Sequence, residues 1–336
     1  MTGSDIDMAN RKALLASTLA SGLLGLASSP AQAIFIDNDI VGDGSWAIDA
    51  LDGGEARAGL LDPAGPTGAT DVIFDYFHYV SVGGGGGTRL GSTTVTSPAA
   101  LSGDDEVTSS GSFAGENGTI DWTATSSIAS NAQVYQTTLA FSSNTPFGRV
   151  DVTHYLDEDV LGVSDDHLVV LGTPGGGDFN LLTIDDDQDV GVSHAASYLT
   201  AVGMTYDGWA ADEFSDLRSA ITAGSATYSI AGVVDVASLP PIAGGDPRFP
   251  GADAYGPEDI TSAINFTFDP TANFASVIFT LGGAPDGSPP PPPDDPEIAV
   301  SEPGTLALLG IGLAGLGFAA RRRNSRQPNL MRDQGN

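Results

Sequence analysis

The chain has 336 residues, 41% of them hydrophobic, which is enough for a packed core and excludes wholesale disorder. Its formal net charge is −31, and residues 34–300 contain 39 acidic side chains, five arginines and no lysine. Such a surface repels nucleic-acid phosphates and anionic lipid headgroups and attracts cations, and the absence of cysteine excludes disulfides, thiolate metal sites and a cysteine nucleophile.

Residues 8–33 read MANRKALLASTLASGLLGLASSPAQA. Arg11 and Lys12 form a positive start, residues 13–27 an apolar run, and Ala31-Gln32-Ala33 a small-x-small cleavage site. This is the pattern of a secretory signal peptide, so residues 1–33 are expected to form a signal helix that is removed. Asp5 and Asp7 are out of place in such a leader, which points to translation from Met8. The mature chain then starts at Ile34.

The body that follows alternates short apolar-polar runs with clusters of Gly, Pro, Asp, Asn and Ser. In GTIDWTATSS (residues 118–127), Ile120, Trp122 and Ala124 share a face; in QVYQTTLAFSS, Tyr135, Thr137, Leu139 and Phe141 do. Val150, Val152, His154 and Leu156 continue the series, as do DVIFDYFHYVSV, SAINFTF and ASVIFTLG. Period-2 alternation with β-branched and aromatic residues predicts half-buried antiparallel strands. VGGGGG (residues 82–87) lacks the lysine and following helix of a phosphate loop and reads as a flexible turn. One segment differs. Over residues 207–221, Ala210, Phe214, Leu217 and Ile221 fall at helical spacing, with Asp207 as N-cap and Gly224 as terminator. The expected fold class is therefore all-β, an antiparallel, jelly-roll-like β-sandwich with one amphipathic helix. One domain over residues 34–283 is expected; two β-domains dividing near residues 175–177 are the alternative.

No zinc-binding histidine frame and no nucleophile elbow are present around His78, His154, His167 and His194, so no catalytic residues are assigned. Two acidic loops offer hard oxygen ligands. DDDQDVG places Asp185, Asp187 and Asp189 at alternating positions, and DEDVLGVSDD offers Asp157 and Asp159 with Gly162 at the sixth position. Neither has the glutamate that closes an EF-hand, and each also reads as a solvated hairpin loop. Calcium is the one cofactor these loops would admit; otherwise none is expected.

Residues 284–300 contain five consecutive prolines and predict an extended spacer. Residues 304–320 then form 17 uncharged positions. At about 1.5 Å per residue they span about 25 Å, enough for a transmembrane helix in a thin bilayer. Arg321, Arg322 and Arg323 act as a membrane stop and mark the cytoplasmic side.

The order Ser301-Glu302-Pro303-Gly304, then a Gly- and Leu-rich helix, then an arginine cluster, resembles the PEP-CTERM sorting domain in its SEP variant. The resemblance covers residues 301–326, with residues 327–336 left as a cytoplasmic tail. It implies an exported protein of a Gram-negative bacterium that makes exopolysaccharide, with an exosortase-type membrane enzyme as processing partner. It also implies a tethered inner-membrane intermediate with its body in the periplasm, and a final place at the cell surface or outside. The expected function is that of a non-enzymatic surface or matrix protein with a structural or interaction role, in contact with surface polysaccharide. A calcium-assisted carbohydrate-binding or adhesive module is the alternative and would need an exposed aromatic platform, for which Trp46, Trp122 and Trp209 are the candidates. A secreted hydrolase is a third class and would need two carboxylates facing each other in a cleft.

Overall fold

The computed structural model describes residues 34–39, 46–61, 70–71, 73, 75–103, 105–128, 134–157, 166–174, 176, 179–185, 191–196 and 201–284. These are mostly β, with a single α-helix among them. In the first sheet, β1 (Ile34–Asp37), β2 (Trp46–Ala50) and β3 (Ala56–Leu61) pair as a meander, β4 (Thr70–Asp71) pairs with β3, and β5 (Asp75–Val82) continues the sheet with β6 (Thr88–Arg89) at its end. The chain then crosses to the second sheet for β7 (Thr94–Leu101), β8 (Glu106–Ala114), β9 (Thr119–Ile128) and β10 (Val134–Ser143). Strand β11 (Val150–Asp157) returns to the first sheet, and β12 (Asp166–Leu171), β13 (Asn180–Asp185) and β14 (Gly191–Ala196) go to the second. Strand β15 (Met204–Glu213), helix α1 (Asp216–Ala223) and the parallel two-residue β16 (Val233–Val234) follow; β16 pairs with β15. Last come β17 (Asp253–Glu258), β18 (Ile260–Phe268) and β19 (Phe274–Ala284).

The first sheet runs β1-β2-β3-β5-β11-β18-β15-β16 and the second β17-β12-β13-β14-β19-β10-β9-β8-β7. Neighbours in sequence mostly pair as meanders, while β18 and β19 each take an interior place in a different sheet. Strands on both sides of residues 175–177 pair within the second sheet.

The two sheets pack face to face. The His154 ring on β11 stacks on Phe279 of β19 at 4.2 Å, and Phe141 of β10 meets Phe268 of β18 at 4.9 Å. Side-chain alternation explains which residues reach this core. In β9 the buried positions are Ile120, Trp122, Ala124, Ser126 and Ile128, and in β10 they are Tyr135, Thr137, Leu139 and Phe141. The sandwich expected from the alternation is present.

The first sheet is also covered on its outer face. Phe77, Tyr79, Tyr155, Ala210 and Ala263 point away from the sandwich core and bury Leu217 and Ile221 of α1. The helix is shorter than the spacing predicts. Residues 207–213 belong to β15, where Ala210 and Ala211 pair with Ala263 and Ser262 of β18. Asp207 is therefore a strand residue and not a cap; Ser215, at φ 77°, precedes the first helical residue. Gly224 terminates the helix as expected, at φ 71°, with its N–H donated to Ile221 O. Ala210 and Phe214 fit a 3.6-residue period, but ladder pairing with β18 decides the conformation of Ala210, and Phe214 lies in the turn before α1.

Candidate functional site

The outer face of the first sheet changes character along its strands. Beyond the apolar rows under α1, cross-strand rows turn polar: Tyr79, Thr153 and Asn265 form one, and Ser81, Asp151 and Thr267 the next. Asp207 joins them from β15, beside a register shift between Tyr206 and Gly208 that re-aims the strand. The β5–β6 turn forms one wall, and the segment after α1, with Ala226 and Tyr228, forms the other. Together they enclose a cleft of about 300 Å³.

The floor is one hydrogen-bonded network. Thr153 Oγ1 donates to Asn265 Oδ1 at 2.7 Å, and Asn265 Nδ2 donates to Asp207 Oδ2 at 2.9 Å. Thr267 Oγ1 lies 2.6 Å from Asp151 Oδ1 and also contacts Asp207 Oδ2. A hydroxyl has one proton, so it serves only one of two ionised carboxylates. Burial pushes the Asp207 carboxyl above its ordinary range and the Asp151 charge adds to this, while hydrogen bonds from Thr267 and Asn265 oppose it. Tyr228 reaches Thr153 Oγ1 at 3.4 Å, and burial raises its phenol.

The glycine run makes the wall. A Cβ on Gly86 would lie 2.1 Å from the Thr222 carbonyl oxygen at the end of α1, and one on Gly84 (φ 73°) would lie 2.9 Å from Arg149 Nη1. Gly87 N–H donates to Ile221 O at 2.9 Å, fixing the turn to the helix. The run is thus an exposed turn that closes on α1 at Gly86 and Gly87, and its lack of side chains there is what lets the wall close.

Other polar clusters lie apart from the cleft. Asp246, 1% exposed, accepts from Arg248 N–H (2.8 Å), Arg248 Nε (2.9 Å) and Arg248 Nη2 (2.7 Å), and lies 3.2 Å from His167 Nδ1. Burial pushes its carboxyl up, but these hydrogen bonds and the Arg248 charge hold it down at about 2. Glu55 is buried against Arg89 and accepts from Gly91 N–H at 3.0 Å. One carboxylate oxygen from each of Asp37, Asp39 and Asp105 lies within 4.8 Å of the others, a set that could hold a metal ion.

Of the residues singled out from sequence, only some lie among the described residues. Asp157 is 1% exposed at the end of β11, and Asp185 ends β13. Asp159, Asp187 and Asp189 lie outside the described residues. Trp122 and Trp209 are each 2% exposed; Trp122 Nε1 donates to Thr93 Oγ1 at 2.8 Å, and Trp209 packs near Phe179. Both are core residues and neither offers a platform; the Trp46 side chain lies outside the description. His78 and His154 stack in the core at 5.0 Å, and the His194 side chain is not described. Ala31 and Ala33, Ser301 to Gly304, and Arg321 to Arg323 all lie outside the described residues, as do the expected signal and transmembrane helices. Among the described residues no helix is long and apolar enough to cross a membrane.

Comparison with known proteins bears on the tail. The sequence model of the PEP-CTERM protein-sorting motif matches residues 299–323, from just before Ser301 to Arg323. The chain carries a PEP-CTERM sorting motif. It is an exosortase-targeted, exported protein, and a membrane-associated exosortase is the enzyme that such a motif addresses. The motif places the protein at the surface or outside the cell. No curated protein sequence matches the chain. Among solved structures, a bacterial glucoamylase complexed with acarbose aligns at 9% identity and a TM-score of 0.41, over 76% of this chain and 34% of that one. A protein assigned as a kojibiose phosphorylase, from the human microbiome, aligns at 8% identity and a TM-score of 0.35, over 84% and 28%. The chain spans about a third of the length of these structures, and likeness at this level carries no argument about activity.

Proposed function

We propose that this is a non-enzymatic surface or matrix protein with an interaction role, delivered outward by its tail and facing surface polysaccharide. The sorting motif at residues 299–323 carries this reading. The body supports it in two ways. Its 35 acidic residues against five arginines keep it soluble and apart from anionic lipid once it is released. Its polar cleft, built on strands, gives it a place to bind. The division into a body over residues 34–283, a Pro-rich spacer over 284–300 and a tail from 301 belongs to the same proposal. The test is fractionation of the full chain in its host with and without the exosortase gene. Surface or medium localisation that depends on the gene supports the reading; equal release in both hosts removes it.

A second reading, a calcium-assisted adhesive module, rests on the grouped carboxylates of Asp37, Asp39 and Asp105. It expects the melting temperature of the full chain to rise by several degrees in millimolar calcium over chelator. An unchanged transition eliminates it.

A further inference from the structure

On the outer face of the first sheet a cavity, a built polar floor and a shaped wall coincide. The cavity's volume of about 300 Å³ lies at the small end of the range for organic ligands. Thr153 and Asn265 on its floor are only 6% and 5% exposed, and both are fixed by hydrogen bonds between strands. A floor set on strands holds its geometry better than one set on loops.

We propose that this cleft binds one residue of a neutral sugar chain, with Asp151, Asp207, Asn265 and Tyr228 as the polar contacts. The proposal rests on the interaction role argued above and names its ligand. A sugar hydroxyl both donates and accepts, and the cleft offers partners of both kinds. Asp151 and Asp207 accept, the Arg149 guanidinium donates, and the Tyr228 phenol does either. Ile221 and Ala226 give the C–H face of a sugar ring an apolar wall beside these groups. The charges argue for a neutral ligand. Two carboxyl groups, the carbonyl end of α1 at Gly224 and the acidic body oppose an anion, with Arg149 the one cationic side chain lining the cleft among the described residues. A bare cation fits less well. Asp151 and Asp207 already share Thr267, and a hard cation needs its oxygens drawn in to about 2.3–2.6 Å.

The test is isothermal titration of the full chain, held in mild detergent, with the tetrasaccharides of β-1,4-glucose, β-1,3-glucose, α-1,4-glucose and β-1,4-mannose. Tetragalacturonate and a chitosan tetramer are the charged controls. At least one neutral tetrasaccharide is expected to bind at millimolar concentration or below. Loss of a buried partner in Asn265→Ala is expected to weaken it by about tenfold, equivalent to about 1.4 kcal/mol. Tyr228→Phe keeps the ring and the fold and is expected to weaken it by a few-fold with an unchanged melting temperature. The proposal is overturned if no neutral sugar binds, if a charged control binds more tightly, or if Tyr228→Phe binds as wild type does. Surface delivery of Tyr228→Phe, measured in parallel, separates the two claims. Normal delivery with no sugar binding refutes the cleft alone, whereas failed delivery of the wild type refutes the export reading.

Discussion

His78 sits at the centre of the sandwich, stacked on His154 and against Phe279, with Nδ1 3.1 Å from Gly53 O. Burial lowers its pKa to about 3, against a smaller upward pull from the Gly53 hydrogen bond. The unfolded chain takes up a proton here near the ordinary value of 6.5, while the folded site stays neutral. The stability tied to this group is therefore complete above pH 6.5 and is lost progressively as pH falls towards 3. The raised carboxyls of Glu55 and Asp207 act with the opposite sign, so the informative quantity is a difference between proteins. His78→Leu is expected to lose less melting temperature than wild type between pH 7 and pH 4; parallel curves would contradict this. Asp246 gives a second test at a single residue. Arg248→Ala strips two side-chain hydrogen bonds from a buried carboxylate, and breaking such a pair costs about 3–5 kcal/mol. The backbone N–H bond survives in the alanine variant, so the lower end of that range is expected in urea unfolding.

At the scale of elements, α1 and the glycine turn act as one unit against the first sheet. Leu217→Ala removes the helix's main anchor among Phe77, Tyr79 and Tyr155, and is expected to cost about 2–4 kcal/mol by denaturant unfolding. Gly86→Ala is expected to cost about 1–3 kcal/mol, because its Cβ would meet the Thr222 carbonyl at 2.1 Å. Gly103→Ala, whose Cβ would meet only Glu106 Cβ at 3.4 Å, is the matched control and should stay near wild type. These elements also show what the sequence discloses. Strands β9 and β10 were legible because every second residue is apolar or small and the whole run obeys it. The C-terminal half of the helix was legible from Leu217, Ile221 and Gly224. Its start was not, because Ala210 and Phe214 share a helical spacing although Ala210 pairs with β18 and Phe214 lies in the turn before α1. The cleft was not legible at all. Its floor takes residues from β5, β11, β15 and β18, each an ordinary polar position on its own strand, and their meeting depends on register. Asp207 read as a helix cap, and the glycine run gave no sign that Gly86 and Gly87 would close against α1.

At the scale of the whole molecule, the acidic surface and the exported state belong together. With 39 acidic residues and five arginines over residues 34–300, self-repulsion destabilises the compact state. The Debye length falls from about 30 Å at 0.01 M salt to about 3 Å at 1 M, so the melting temperature is expected to rise by several degrees over that range. A flat response would mean the charges are already compensated by bound cations. Strands β18 and β19 hold interior places in both sheets, and the sorting tail follows β19 along the sequence. The sandwich cannot be completed until the chain is made almost to its tail. The central claim is that residues 299–323 act as an address that is read and processed. The direct measurement is the fate of a Glu302→Ala, Pro303→Ala double variant, followed by membrane fractionation and immunoblot beside wild type. The account predicts full-length protein held in the inner membrane with its body outside; release of the variant at the wild-type rate and size would contradict it.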